Sequence, residues 1–278
     1  MLDTLFNHAL SKKWLLLISI AILASIALSA CAPAPIVAPA AAPEPTTAAV
    51  AAKPHWTYEG AEGPEHWGEL PGYETCTTGK SQSPINVTNA GPKDLANVVF
   101  NYQPSEVKIL NNGHTVQVNY DKGSTIEVDG KRYDLLQFHF HAPSEHAIDG
   151  KLAAAELHLV HQSADGKLAV VGVLLEKGAE NAAFKPVWDN LPAKEATEKA
   201  TGAKVAAADL LPQVKTTYRY SGSLTTPPCS EGVTWLLMTS PVEMSEAQLA
   251  AFAHLFEQGD ARPVQPLNDR DLTVDSTP

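Results

Sequence analysis

Basic charge is scarce in this chain. Lys and Arg number 20 against 31 Asp and Glu, a net charge of −11 over 278 residues, which argues against nucleic acid as a partner. Long acidic runs are missing as well, so the acidity is spread in the manner of a soluble exported domain. There is no internal repeat, and beyond the N-terminal region no second linker, so the bulk of the chain reads as one unit. No His-Glu-x-x-His pattern occurs, which argues against zinc hydrolases built on that helix. Helical periodicity is confined to Asn181–Leu191 and Ser245–Gln258, the second with Ser245 placed as its N-cap. Cysteine is limited to Cys31, Cys76 and Cys229.

The first of these cysteines belongs to an export signal. Lys12 and Lys13 precede an apolar run from Trp14 to Ala30, which ends in small residues before Cys31. Leu28-Ser29-Ala30-Cys31 resembles the bacterial lipobox, so residues 1–30 are expected to be cleaved and Cys31 lipidated. Ordinary cleavage near Ala30 and an uncleaved anchor are the weaker alternatives. A lipid on Cys31 would tether the protein to a membrane surface without a spanning helix. Residues 31–54 are mostly Ala, Pro, Thr and Val and lack core-forming patterning, which reads as a semi-rigid tether. The expected location is therefore periplasmic or cell-surface. Cys76 and Cys229 remain as an even pair in an oxidising compartment, which favours a disulfide.

Residues 55–278 form the folded domain. Strand signals run through Val98–Tyr102, Val107–Asn111, Thr115–Tyr120, Thr125–Val128, Arg132–His141, Ala153–Gln162, Leu168–Leu175, Tyr218–Ser223 and Val233–Ser240. Asn112-Gly113 and Asp129-Gly130 supply tight-turn chemistry between them. Residues 55–88, rich in Gly, Pro, Trp and polar side chains, read as irregular wrapping. Many strands and few helices predict a mainly β domain: one large, twisted, mostly antiparallel sheet with a few short peripheral helices.

Six of the ten histidines lie between His114 and His161. His139 and His141 are two apart, so a strand aims both rings at one face. His158 sits in a second alternating run that a hairpin could bring alongside. Three neutral imidazoles on a rigid sheet, with a fourth position open, are the ligand set of a catalytic zinc. Gln137 and Glu156 each precede a candidate ligand by two residues, at positions otherwise suited to burial. Metal-bound histidines donate their second N–H to such partners. Gln137 is therefore expected to orient His139, and Glu156 to orient either His158 or His141. His161, three residues beyond His158, faces the other side of the strand and is read as structural.

These residues stand in a longer set of motifs: Gly63-Pro64-Glu65-His66-Trp67, Ser81-Gln82-Ser83-Pro84-Ile85-Asn86, Asn111-Asn112-Gly113-His114, Phe138-His139-Phe140-His141, Ser144-Glu145-His146, Ala155 to His161, Gly222 to Cys229, and Arg262 to Leu267. In that order and combination the chain resembles the α-class carbonic anhydrases in their bacterial exported form, over about Trp56 to Arg270. The resemblance implies a Zn2+ enzyme that reversibly hydrates carbon dioxide to bicarbonate and a proton, by Zn-hydroxide attack. It implies that Thr225 takes a hydrogen bond from the hydroxide and donates to Glu145. It makes His114 the proton shuttle, with Tyr58, Asn112 and Gln117 holding water between metal and shuttle; at Gln117 relatives commonly have Asn. Val160, Val170, Leu224, Thr226, Val233 and Trp235 become the substrate pocket, whose apolar members also serve as ordinary core. The pairing of Cys76 with Cys229 is implied too. The oligomeric state stays open, a dimer included.

Overall fold

Alternation of large apolar and polar residues dictates where strands form, and the computed structural model, which describes residues 53–275, shows the result. The leader at residues 1–30, Cys31 and most of the 31–54 tether lie outside the described residues. Ser105–Asn111 alternates strictly between buried and half-exposed positions. Leu168–Lys177 is buried on both faces for most of its length, as its continuous run of Leu, Val and Ala requires.

Among the described residues the strands assemble into one 13-stranded sheet and one 3-stranded sheet. The main path of the large sheet runs Ala196–Val205, Ser105–Asn111, Val116–Asn119, Lys131–His141, Ala155–Gln162, Leu168–Lys177, Glu231–Met238, Thr217–Ser223, Thr273–Asp275, Gly91–Lys93. Its pairings are mostly antiparallel. Leu168–Lys177 runs parallel to Glu231–Met238 and to Val242–Met244, and Thr273–Asp275 runs parallel to Gly91–Lys93, so the sheet is mixed.

The site owes its position to the two faces of this sheet. Phe138, Phe140, Leu157, Leu159, Val171 and Val173 point into the main core. The alternate residues point the other way, where Val170, Val233, Trp235, Tyr220 and Leu237 form a second cluster. Lys131–His141 and Ala155–Gln162 are antiparallel neighbours with His139 opposite His158 and His141 opposite Glu156. The link between them is no tight hairpin. It carries Ala147–Ile148 and Lys151–Leu152, which pair with Asn86–Val87 in the small sheet.

Helices are short and peripheral. Glu246–Ala253 is capped by Ser245, whose Oγ accepts from Gln248 N–H at 3.2 Å. It ends before the expected Gln258, in turns that lead to Gly259 at φ +80°. The Asn181–Leu191 pattern becomes a 3-10 turn at Ala182–Phe184 and an α turn at Lys185–Trp188. Cys76 and Cys229 form a disulfide, with Cα atoms 5.0 Å apart, packed against buried Trp67 and Tyr73.

Candidate active site

One strand face presents Gln137, His139 and His141, and the facing strand presents Glu156, His158 and Val160. His139 Nδ1 donates to Gln137 Oε1 at 2.9 Å, and His141 Nδ1 donates to the backbone carbonyl of Asp260 at 2.7 Å. His158 Nε2 donates to Glu156 Oε1 at 2.8 Å. Each bond assigns its ring a tautomer, leaving Nε2 of His139, Nε2 of His141 and Nδ1 of His158 with lone pairs. One ligand atom from each residue lies within 4.8 Å of the others. Burial, reinforced by the neighbouring rings, holds His139 well below the usual imidazole range. Burial likewise takes His158 down to about 4 against the opposing pull of Glu156. All three rings are thus poised as neutral ligands. His141 is buried and its Nε2 has no hydrogen-bond partner, an omission a metal ion would make good. Two or three neutral nitrogens on a sheet with one side open to a cavity suit zinc in a catalytic setting.

Glu156 does more than orient one ring. Its Oε1 also receives His146 Nδ1 at 2.7 Å, and its Oε2 accepts the backbone N–H groups of Glu145 and His146 at 2.9 and 2.8 Å. Burial works against this carboxylate, but His146 and His158 outweigh it and hold Glu156 well below the ordinary range. His146 continues to the Tyr220 hydroxyl at 2.7 Å, which donates to Ser83 Oγ at 2.9 Å. His146, Glu156 and His158 could geometrically hold an ion, but their polar atoms are already spent on each other. The alternative of Glu156 orienting His141 is not what the structure shows, because the Asp260 carbonyl fills that role. Gly172 sits opposite His158, and a β-carbon there would approach Glu156 Oε1 to 3.0 Å and Leu237 to 2.9 Å.

Glu145 is fully buried beside the ligands. Its Oε2 lies 3.5 Å from His141 Nε2 and 3.8 Å from His158 Nδ1, and its Oε1 accepts the Arg262 N–H at 2.9 Å. Burial drives its pKa up to about 8, opposed by the Arg262 N–H and by the Thr225 hydroxyl, with Glu156 adding to the rise. Oε2 has no partner at full hydrogen-bond geometry, so the Thr225 contact is a close electrostatic one. A dication among the rings would oppose the rise and favour the carboxylate.

A cavity of about 130 Å³ runs from His139, His141 and Thr226 past Gln117 and Asn112 to Tyr58 and His114. The expected water-holding residues and the expected shuttle therefore share one space with two ligands. His114 stacks on Trp56 with ring centroids 3.7 Å apart, and burial lowers its pKa. Asn112 Oδ1 is occupied by the N–H groups of His114 and Thr115, so it also shapes the turn that carries the shuttle. Val170, Val233 and Trp235 are buried together, with Val160 and Leu224 against them. Trp235 closes on the His158 ring at 4.9 Å. His161 lies on the far face, bonded to the Tyr102 hydroxyl at 2.9 Å.

Sequence reasoning missed Asp260 and Arg262 as supports. Asp260 works through its main chain, which leaves no side-chain signal. Arg262 spans three segments, donating to Cys76 O, Gln82 Oε1 and Ser83 O as well as giving its N–H to Glu145. Its place in the Arg262–Leu267 motif was the available hint. His146 was visible in the histidine clustering, without its role.

Comparison with known proteins follows the same direction. The family profile described as eukaryotic-type carbonic anhydrase matches residues 62–276. A protein of Nostoc sp. named carbonic anhydrase is 48% identical over 232 residues, covering 81% of this chain and 88% of that one. The α-carbonic anhydrase of Thermovibrio ammonificans, solved with the inhibitor sulfanilamide, superposes with a TM-score of 0.77 at 45% identity, covering 79% of this chain and 98% of its own. A hyperthermostable carbonic anhydrase from a hydrothermal vent chimney gives a TM-score of 0.77 at 47% identity, covering 79% of this chain and 99% of its own.

Proposed function

This chain belongs to the eukaryotic-type, or α, carbonic anhydrases, enzymes of reversible carbon dioxide hydration, and from that premise we propose how its own residues carry the reaction. The observation that carries the proposal is the convergence of three neutral ring nitrogens, from His139, His141 and His158, beside a cavity. These residues would hold zinc, which when bound brings the acidity of a water molecule to near neutrality and so supplies a nucleophile without a protein base.

The remaining roles belong to the protein. Gln137, the Asp260 carbonyl and Glu156 keep each ring in the tautomer that presents its ligand atom. A Thr225 hydroxyl that donates to Glu145 has only lone pairs to turn toward the reacting water, which orients it. Val160, Val170, Leu224, Val233 and Trp235 offer carbon dioxide an apolar wall, and Thr226 lines the adjoining cavity. His114 takes the proton through water held among Tyr58, Asn112 and Gln117, and releases it to solvent.

The deciding experiment is metal analysis with stopped-flow carbon dioxide hydration on the purified protein. We expect about one zinc per chain and fast turnover, with both lost in His139→Ala. Thr225→Ala should keep the metal and slow the chemistry. A metal-free or inactive wild-type protein would refute the reading. The disulfide supports export, and lipidation of Cys31 remains our proposal. Loss of detergent partitioning in Cys31→Ser would support it, and unchanged partitioning would count against it.

A further inference from the structure

His114 stands between two spaces. Beyond the cavity shared with the metal ligands lies a second one of about 440 Å³, whose wall includes His114, Trp56, His55, Glu59, Glu195 and Glu257. His55 precedes Trp56, the ring on which His114 stacks. Its side chain is 71% exposed, and its Nδ1 lies 2.9 Å from Glu62 Oε2. A carboxylate only accepts, so Nδ1 carries the hydrogen and Nε2 is left as the proton-accepting atom. Glu195 comes close on the other side: a β-carbon on Gly113 would lie 3.5 Å from its Oε2. The outer cavity thus joins two imidazoles, one half-buried and one facing solvent, inside a ring of carboxylates.

We propose that His55 is a second proton station, receiving the proton from His114 and delivering it to buffer. This rests on the reading of His114 as the shuttle. The steps balance simply. Protonated His114 loses one ring N–H proton through cavity water and returns to neutral imidazole. His55 Nε2 gains that proton, its Nδ1–H staying on Glu62, and then gives the Nε2 proton to a solvent base. Glu59, Glu195 and Glu257 set a negative field that favours a cation in the outer cavity over one deeper in the protein. His114, its own hold on a proton weakened by burial and by the His55 charge, is suited to pass the proton on. The gain is a second exit point where buffer is dilute.

The test uses the full chain, with His55→Ala, His114→Ala and the double variant assayed in weak buffer. His55→Ala should lower kcat about threefold, with kcat/KM for carbon dioxide unchanged, because that ratio is settled before the proton leaves. Added imidazole should restore kcat. In the His114→Ala background, His55→Ala should add no further loss. Wild-type kcat in His55→Ala would overturn the relay while leaving the shuttle intact. An equal fall in kcat and kcat/KM would also overturn it, marking a structural role. If His114→Ala itself keeps wild-type turnover, the shuttle reading fails and the relay with it.

Discussion

Glu156→Gln tests how the ligand set is held, because the two side chains have the same shape and differ in one donor. The carboxylate accepts four hydrogen bonds, two on each oxygen: His146 Nδ1 and His158 Nε2 on Oε1, the N–H groups of Glu145 and His146 on Oε2. An amide has to place its NH2 on one side or the other. Facing the main chain, it sets donors against two buried N–H groups, at about 1–3 kcal/mol for each one left unpaired, or ~2–6 kcal/mol of fold stability. Facing the rings, it requires His158 Nε2 to accept. The proton of His158 then moves to Nδ1, the atom that faces the metal position. In that arrangement zinc affinity should fall about 10–100-fold, as for other losses of a ligand's supporting bond. Urea unfolding of the metal-free protein reads the first outcome and zinc competition against a chelator reads the second. Nitrogen-detected NMR of the imidazoles distinguishes the His158 tautomers. A variant matching wild type in both stability and zinc affinity would refute the reasoning.

Three further predictions concern the frame. Gly222→Ala would bring a β-carbon to 2.1 Å from Ser83 Oγ and 2.7 Å from the Trp235 ring, so we expect a loss of at least about 1–3 kcal/mol in denaturant unfolding, with weakened activity from a displaced Trp235. The disulfide closes a separation of 153 residues, and the Cys76→Ser/Cys229→Ser double variant should lose ~2–5 kcal/mol, read as a lower unfolding midpoint. Burial takes His161 down to about 3, below the unfolded value near 6.5. As pH falls below about 6.5 the unfolded chain binds a proton that the native ring refuses, so stability is lost toward acid, at up to ~1.4 kcal/mol per pH unit. His161→Phe should flatten that part of the profile relative to wild type and leave the difference constant above pH ~7; parallel profiles would dispose of the argument.

Legibility in the sequence followed how far each role depends on local pattern. Ser105–Asn111 and Lys131–His141 announced themselves through alternation, and the i, i+2 spacing of His139 and His141 carried the ligand pair with it. The strand Ala196–Val205 went unread because it is an edge element, almost wholly exposed, whose Thr, Glu, Lys and Gly residues have no apolar period. The short pairs at Asn86–Val87, Ala147–Ile148 and Lys151–Leu152 are too brief to show one. Parallel pairing of Leu168–Lys177 with Glu231–Met238 aligns Val170 with Trp235 and is a fact of topology that no local window holds. Around the ligands, Gln137 was readable from its neighbour, whereas the other contacts of Glu156 come from a loop folded back over the strand.

The bond from His141 to the Asp260 carbonyl has an evolutionary corollary. Two of the three grips on the metal are spelled by codons, at 137 and 156, and can be softened or stiffened by ordinary substitution. The third is spelled by none, since every amino acid brings the same C=O. Selection or directed evolution seeking a looser or tighter ion should therefore harvest variants at those two positions, while His141 yields only to changes that displace the loop around residue 260.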